Sequence, residues 1–217
     1  MIVVIAMAIG GCGSSPSASS NSDGSDAAIQ AAEVYYNQGN AYFRQGNYDR
    51  AITAYTIAIR IDPDFAGAYN NRGAAYIEKE DYDSAIADFA QAIRIDPNSA
   101  EAYFNRGEAY VNKEDYDQAI ADYTSAIRLN PDFVEAYFFR GIVYYIKDDY
   151  DSAIADFTQV IRLDPNSADT YDWRGDVYYD KGDYDRAIAD YEAVLRIDPN
   201  HPYAGQSLER VRQARGR

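Results

Sequence analysis

Cysteine, histidine and tryptophan each occur once in the 217 residues, and 20 Lys and Arg face 35 Asp and Glu. Each scarcity removes a class of function. A lone Cys12 forms no disulfide within the chain. The lone His201 lies between Asn200 and Pro202, in a turn, without partners for a nucleophilic triad, and no Cys/His spacing suits zinc. No glycine-rich phosphate loop is present. A net charge of -15 argues against nucleic acid, whose phosphates demand Lys and Arg, and favours basic or neutral partners. The chain therefore reads as non-catalytic, with no cofactor and no metal; aspartates along a straight helix do not wrap oxygens around calcium.

Long apolar runs are also missing. The one such segment, Ile2 to Ile9, spans eight residues, too few to cross a membrane as a helix. It is followed by Gly10-Gly11-Cys12 and a Ser/Gly/Asn-rich stretch, the order of a secretory signal, although no Lys or Arg precedes the run. Ile9-Gly10-Gly11-Cys12 resembles a bacterial lipobox, which implies cleavage before Cys12 and a lipid such as palmitate on the new terminus. The expected organisation is a signal segment at 1–11 and a lipidated Cys12 with a flexible polar tether at 12–28. Contact with a membrane of the cell envelope, on its periplasmic or surface face, is then through the anchor only. An apolar N-terminus with an incidental cysteine is the alternative.

What the chain has in abundance is repetition. Gly39, Gly73, Gly107, Gly141 and Gly175 are each 34 residues apart, as are Ala51 to Ala187 and Pro63 to Pro199 taken at the same step. Five units follow, 32–65, 66–99, 100–133, 134–167 and 168–201. A fixed period of this length marks a solenoid whose units bury apolar faces only against their neighbours. Ala85, Ile86, Phe89, Ala92 and Ile93 fall on one face of a helix. Asn47, Asp81, Asp115, Asp149 and Asp183 stand where that helix needs a cap. The residue before each proline is steered out of helical geometry, so the helix ends there. Fifteen of the 22 tyrosines recur at unit positions 4, 11 and 17, and are read as packing residues. Arg72, Arg106, Arg140 and Arg174 accompany Asp88, Asp122, Asp156 and Asp190, whereas the first unit changes both together to Gln38 and Ala54. These arginines and aspartates are expected to pair.

Tyr at position 4, Gly at 8, Tyr at 11, Ala at 20, an aromatic at 24 and Pro at 32 resemble the tetratricopeptide (TPR) repeat over 170 of the 217 residues. The resemblance implies an all-α, right-handed superhelical solenoid of five helix pairs across 29–201. Residues 202–217 would form a capping helix, with Leu208 and Val211 inward and Arg210, Arg212, Arg215 and Arg217 making the tail basic; a frayed terminus is the alternative.

In TPR proteins the first helices line a concave groove through positions 2, 5, 6, 9, 12 and 13. Here that implies Tyr36, Asn40, Asn70 and Asn71 in the first two units. An exposed aromatic cluster of Phe104, Phe138, Phe139, Ile142 and Tyr145, with Glu108, follows in the third and fourth. Asp169, Asp172, Trp173, Asp176, Tyr179 and Asp180 follow in the fifth. A TPR subtype that clamps C-terminal carboxylates uses two asparagines, matched by Asn40 and Asn71, but Glu101 and Asn105 stand where its cations belong. The aromatic cluster reads either as an interface or as packing between units. The acidic stripe reads either as a seat for a cation or as a solvated face.

The expected function is a scaffold for protein–protein interaction, lipid-anchored in the envelope and gripping a hydrophobic or basic peptide segment. Resemblance to TPR lipoproteins points to outer-membrane assembly, pilus assembly or solute transport. Two alternatives stay open: a self-assembling structural lipoprotein, a homo-oligomer whose groove receives a neighbour's basic tail, and a ligand-binding accessory subunit of a transport complex.

Overall fold

Helix punctuation recurs with the period, and the computed structural model describes residues 22–216 as helices joined by tight turns. They form two compact units that part between Asp115 and Tyr116. The first holds α1 (Ser22–Arg44), α2 (Tyr48–Ile61), α3 (Ala66–Ile77), α4 (Tyr82–Ile95) and α5 (Ala100–Asn112). The second holds α6 (Tyr116–Leu129), α7 (Val134–Ile146), α8 (Tyr150–Leu163), α9 (Ala168–Asp180), α10 (Tyr184–Ile197) and α11 (Ala204–Arg215). Within the units α1/α2, α3/α4, α7/α8 and α9/α10 are antiparallel pairs, α5 and α6 complete the succession of five in chain order, and α11 follows, the all-α repeat architecture expected. Signal segment, lipobox and Cys12 lie outside the described residues. One boundary moves: α1 takes in residues 22–28, which composition assigns to the tether. Ala27, Ala28, Ala31 and Ala32 are strong helix formers, and they let the helix run on ahead of the first repeat.

Each turn has a local cause. Asn47, Asp81, Asp149 and Asp183 accept from the backbone N–H three residues on, at 3.4, 3.2, 3.2 and 3.2 Å, which opens α2, α4, α8 and α10. The residue before each cap is left-handed: Gly46 (φ 71°) and Gly182 (φ 81°), but also Glu80, Glu114 and Asp148 at 59 to 61°. At the other end Asp62, Asp96, Asp164 and Asp198 are extended ahead of their prolines. Their carboxylates accept from the N–H two residues on, closing an Asx turn.

The helices of a pair meet at a glycine and a ring. Cβ atoms built on Gly39, Gly73, Gly141 and Gly175 would come within 2.5 to 3.0 Å of the rings of Tyr55, Phe89, Phe157 and Tyr191. Those rings are fully buried. Most tyrosines at positions 4, 11 and 17 are only half-buried, and several serve the arginines. Arg72, Arg140 and Arg174 lie over Tyr69, Tyr137 and Tyr171 at 5.6 to 5.7 Å. Each also makes two bonds of 2.7 to 2.8 Å to Asp88, Asp156 or Asp190 of its own repeat. Each reaches back to Thr56, Thr124 or Thr158 of the preceding one. The expected Arg–Asp pairing is therefore real in these three repeats, and it links neighbours as well. An outer ladder adds Lys79–Asp49, Lys113–Asp83, Lys147–Asp117 and Lys181–Asp151.

Candidate binding groove

Position 9 of the repeat sits beside the buried ring of position 24, and the two vary together. Where the ring is tyrosine, its hydroxyl donates to a polar partner: Tyr55 to Asn40 Oδ1 at 2.7 Å, Tyr191 to Asp176 Oδ1 at 2.6 Å. Where it is Phe89 or Phe157, position 9 is Ala74 or Ile142. In sequence the third repeat follows the same rule, with Tyr123 and Glu108. Asn40 and Asp176 thus satisfy a buried hydroxyl before they can serve a ligand. That covariation was legible in the sequence and is the signal a position-by-position reading of the groove misses.

In the first unit the expected groove residues bind one another. Asn71 Nδ2 donates to Asn40 Oδ1 at 2.8 Å and to the Tyr36 hydroxyl at 3.0 Å. Asn70 donates to Glu101 at 3.1 Å and accepts from Asn105 at 3.1 Å. Asn40 and Asn71 are buried, 8 and 3% exposed. Glu101 and Asn105, standing where carboxylate-clamp cations belong, are instead tied into this amide network. Glu108 is 8% exposed, and burial together with the nearby Glu78 charge pushes its carboxyl up to about 8.

The exposed aromatic patch is corrected. Phe104 and Ile142 are each only 5% exposed. Phe138 and Phe139 are partly buried; Phe138 meets Phe157 edge-on at 5.8 Å, and Trp173 stacks on Phe157 at 6.4 Å. Rings of α7 and α9 gather around Phe157 and exclude water, so this cluster is packing rather than a free apolar surface. Tyr145 meets Trp173 at 6.1 Å and lies at the margin of this cluster.

The acidic stripe is different. In the second unit a cleft of about 600 Å³ is lined by Tyr145, Asp172, Asp176, Asp180, Tyr203, Gln206, Ser207 and Arg210. Each occupies a groove position if the 34-residue phase is carried past residue 201. Tyr203, Gln206, Ser207 and Arg210 were not foreseen as site residues, although Ala204 and Val211, both fully buried, keep the phase of the repeat. The helix α11 is thus a sixth first helix rather than a plain cap. Its Leu208 and Val211 face inward as expected, and Arg212 and Arg215 pair with Glu192 and Asp185.

Within the cleft, Asp180 accepts from the Tyr145 hydroxyl, and burial, followed by that bond, raises the phenol's pKa. Asp176 accepts from Tyr191 and, at 3.2 Å, from Arg210, whose guanidinium lies over the Tyr179 ring at 4.5 Å. Oδ1 of Asp172 is buried without a protein hydrogen-bond partner, and burial and the Asp176 charge raise its pKa. Asp169 stands apart, exposed, its Oδ1 3.8 Å from Nε2 of His201. The stripe is therefore not uniform: one carboxylate is solvated, two serve tyrosine hydroxyls, and one is unsatisfied.

Helix pairs of this geometry and period define a class of repeat protein, and the sequence agrees. The tetratricopeptide repeat family matches residues 36–100, 104–168 and 147–202, and the chain belongs to that family. No curated protein matches. Among solved structures, MamA is 27% identical with a TM-score of 0.73, covering 78% of this chain and 93% of its own. YrrB, described as a TPR protein with an unusual peptide-binding site, is 26% identical with a TM-score of 0.72 and covers 86% and 98%. The first TPR of Spaghetti (RPAP3), bound to the HSP90 peptide SRMEEVD, is 30% identical at a TM-score of 0.54 and covers 54% and 94%. A TPR fold is a scaffold for protein–protein interaction, and nothing among the described residues indicates enzymatic activity. Among the described residues, no group of side chains could hold a metal ion and no helix is long and apolar enough to cross a membrane.

Proposed function

We propose that this protein is a non-catalytic adaptor of a bacterial cell envelope, lipid-anchored through Cys12, that binds an extended segment of a partner protein along its first helices. The observation that carries the binding half is the cleft of the second unit, where three carboxylates and two tyrosines stand around a single arginine. A segment bearing basic side chains fits that charge, and the apolar margin at Tyr145 and the exposed Tyr203 suits a neighbouring apolar residue. Peptide binding by YrrB and by the RPAP3 domain supports the mode. The anchoring half rests on the lipobox resemblance and the lone cysteine.

Self-assembly through the basic tail gains no support, because Arg212 and Arg215 are already paired within the chain. Two experiments test the adaptor reading. Labelled palmitate should mark the wild type in cells and not Cys12→Ala; equal labelling removes the anchor. A photo-crosslinker in place of the exposed Tyr203 should capture one dominant partner in the native envelope, and capture unchanged by Asp172→Asn with Asp180→Asn removes the groove assignment.

A further inference from the structure

Two arginines of the second unit meet carboxylates in contrasting ways. Arg174 is sealed against Asp190, the side chains 15 and 7% exposed, with two bonds of 2.8 and 2.7 Å. Arg210 makes a bond of 3.2 Å to Asp176, the side chains 53 and 35% exposed, while its guanidinium lies on the Tyr179 ring and beside the Tyr191 hydroxyl. The first geometry is structural. The second is that of a bound ligand held loosely: an aromatic face, a carboxylate and an open side. Helix α11 does not need this contact to dock, because Ala204, Leu208 and Val211 are buried and Arg212 and Arg215 hold its flanks.

We propose that the seat of Arg210 is a guanidinium-binding site, occupied in cis by α11 and taken in trans by an arginine side chain of the partner segment. The inference rests on the adaptor reading and names the side chain recognised. Charge supports it, since the cleft sets three carboxylates against one guanidinium, so an incoming cation meets a net negative field. Asp172 lines the cleft one helical turn from Asp176 on the same face, and its Oδ1 has no protein partner, so this carboxylate is the acceptor the protein leaves unused for the incoming fork. A planar fork over a ring selects arginine above lysine, whose compact ammonium is more strongly hydrated. Arg210 is then a built-in competitor: the free protein screens its own cleft, and the partner's arginine gains access by displacing a loosely held side chain.

The test titrates full-length protein with arginine amide, followed by the amide NMR shifts of α9 and α11, against citrulline amide, the neutral isostere. Arg210→Ala, which removes the competitor, should bind arginine amide about threefold or more tighter than wild type, because affinity scales with the competent fraction. Citrulline amide should give no saturable shift, and Asp172→Asn in the Arg210→Ala background should weaken binding by about tenfold. Arg210→Ala and Asp172→Asn should keep the helical circular dichroism of the wild type, which separates lost binding from lost fold. Equal binding of arginine and citrulline amides, or no gain in Arg210→Ala, overturns the inference. Partner capture at Tyr203 is a separate readout: it can succeed while arginine amide fails, in which case the scaffold stands and the guanidinium seat falls.

Discussion

Arg174 and Asp190 lie 16 residues apart and close on one another through two hydrogen bonds of 2.8 and 2.7 Å, while a third runs from the same guanidinium to Thr158. The contact joins the two helices of the fifth repeat and ties them to the fourth. Arg140, Asp156 and Thr124 repeat it one period earlier, as do Arg72, Asp88 and Thr56 in the first unit.

Because the pair is nearly buried, removing one partner strands a charge. Arg174→Ala should destabilise the protein by about 3–5 kcal/mol. Lys181→Ala, which breaks an exposed ladder contact with Asp151, should cost no more than about 1 kcal/mol. Urea unfolding of the two variants decides the matter; similar losses would mean that burial does not set the value of these pairs.

Two glycines should respond to alanine with opposite sign. At Gly39 the new Cβ would lie 2.5 Å from the Tyr55 ring, and overpacking should cost about 1–3 kcal/mol. Gly205, inside α11, has nothing within 4 Å, so alanine there should stabilise by about 0.5–1 kcal/mol through helix propensity alone. Thermal unfolding of both variants gives the signs directly.

The pairing of positions 9 and 24 can be transplanted. Phe157→Tyr would bury a hydroxyl beside Ile142 with no acceptor, costing about 1–3 kcal/mol. Adding Ile142→Asn, which recreates the Tyr55–Asn40 combination, should recover part of the loss. A double-mutant cycle with no coupling would show that the covariation is incidental.

Glu108 adds a pH dependence. Its folded carboxyl titrates near 8, whereas an unfolded glutamate titrates at about 4.3. The native state therefore holds the proton more tightly, and stability from this group is full below the unfolded value and lost as pH rises towards 8. Relative to Glu108→Gln, the wild type should lose on the order of 2–5 kcal/mol between pH 4.5 and pH 8. Parallel stability curves for the two proteins would contradict this.

Much of the fold was legible before any coordinates. Caps at Asp81 and Asp149, helix ends before Pro97 and Pro165, and the Arg–Asp pairs depend on contacts that each repeat makes with itself or its neighbour, so the period exposes them. The groove was legible only as a phase. Whether Ile142 in that phase is solvated depends on the size of the side chains brought against it, and the large rings of α7, α8 and α9 closed the surface there.

The sequence by itself determined the helix pairs, the ends of the helices inside the repeats and the pairing of residues that recur, because local capping and nearest-neighbour packing are written into every 34 residues. Tertiary structure decided which carboxylates are used and which is left over. Asp172, Asp176 and Asp180 look alike as a stripe, yet Tyr191 and Arg210 reach Asp176, Tyr145 reaches Asp180, and Oδ1 of Asp172 is buried unmet. That inequality arises from side chains brought together out of three or more helices, where reach and desolvation, rather than spacing, set the partners.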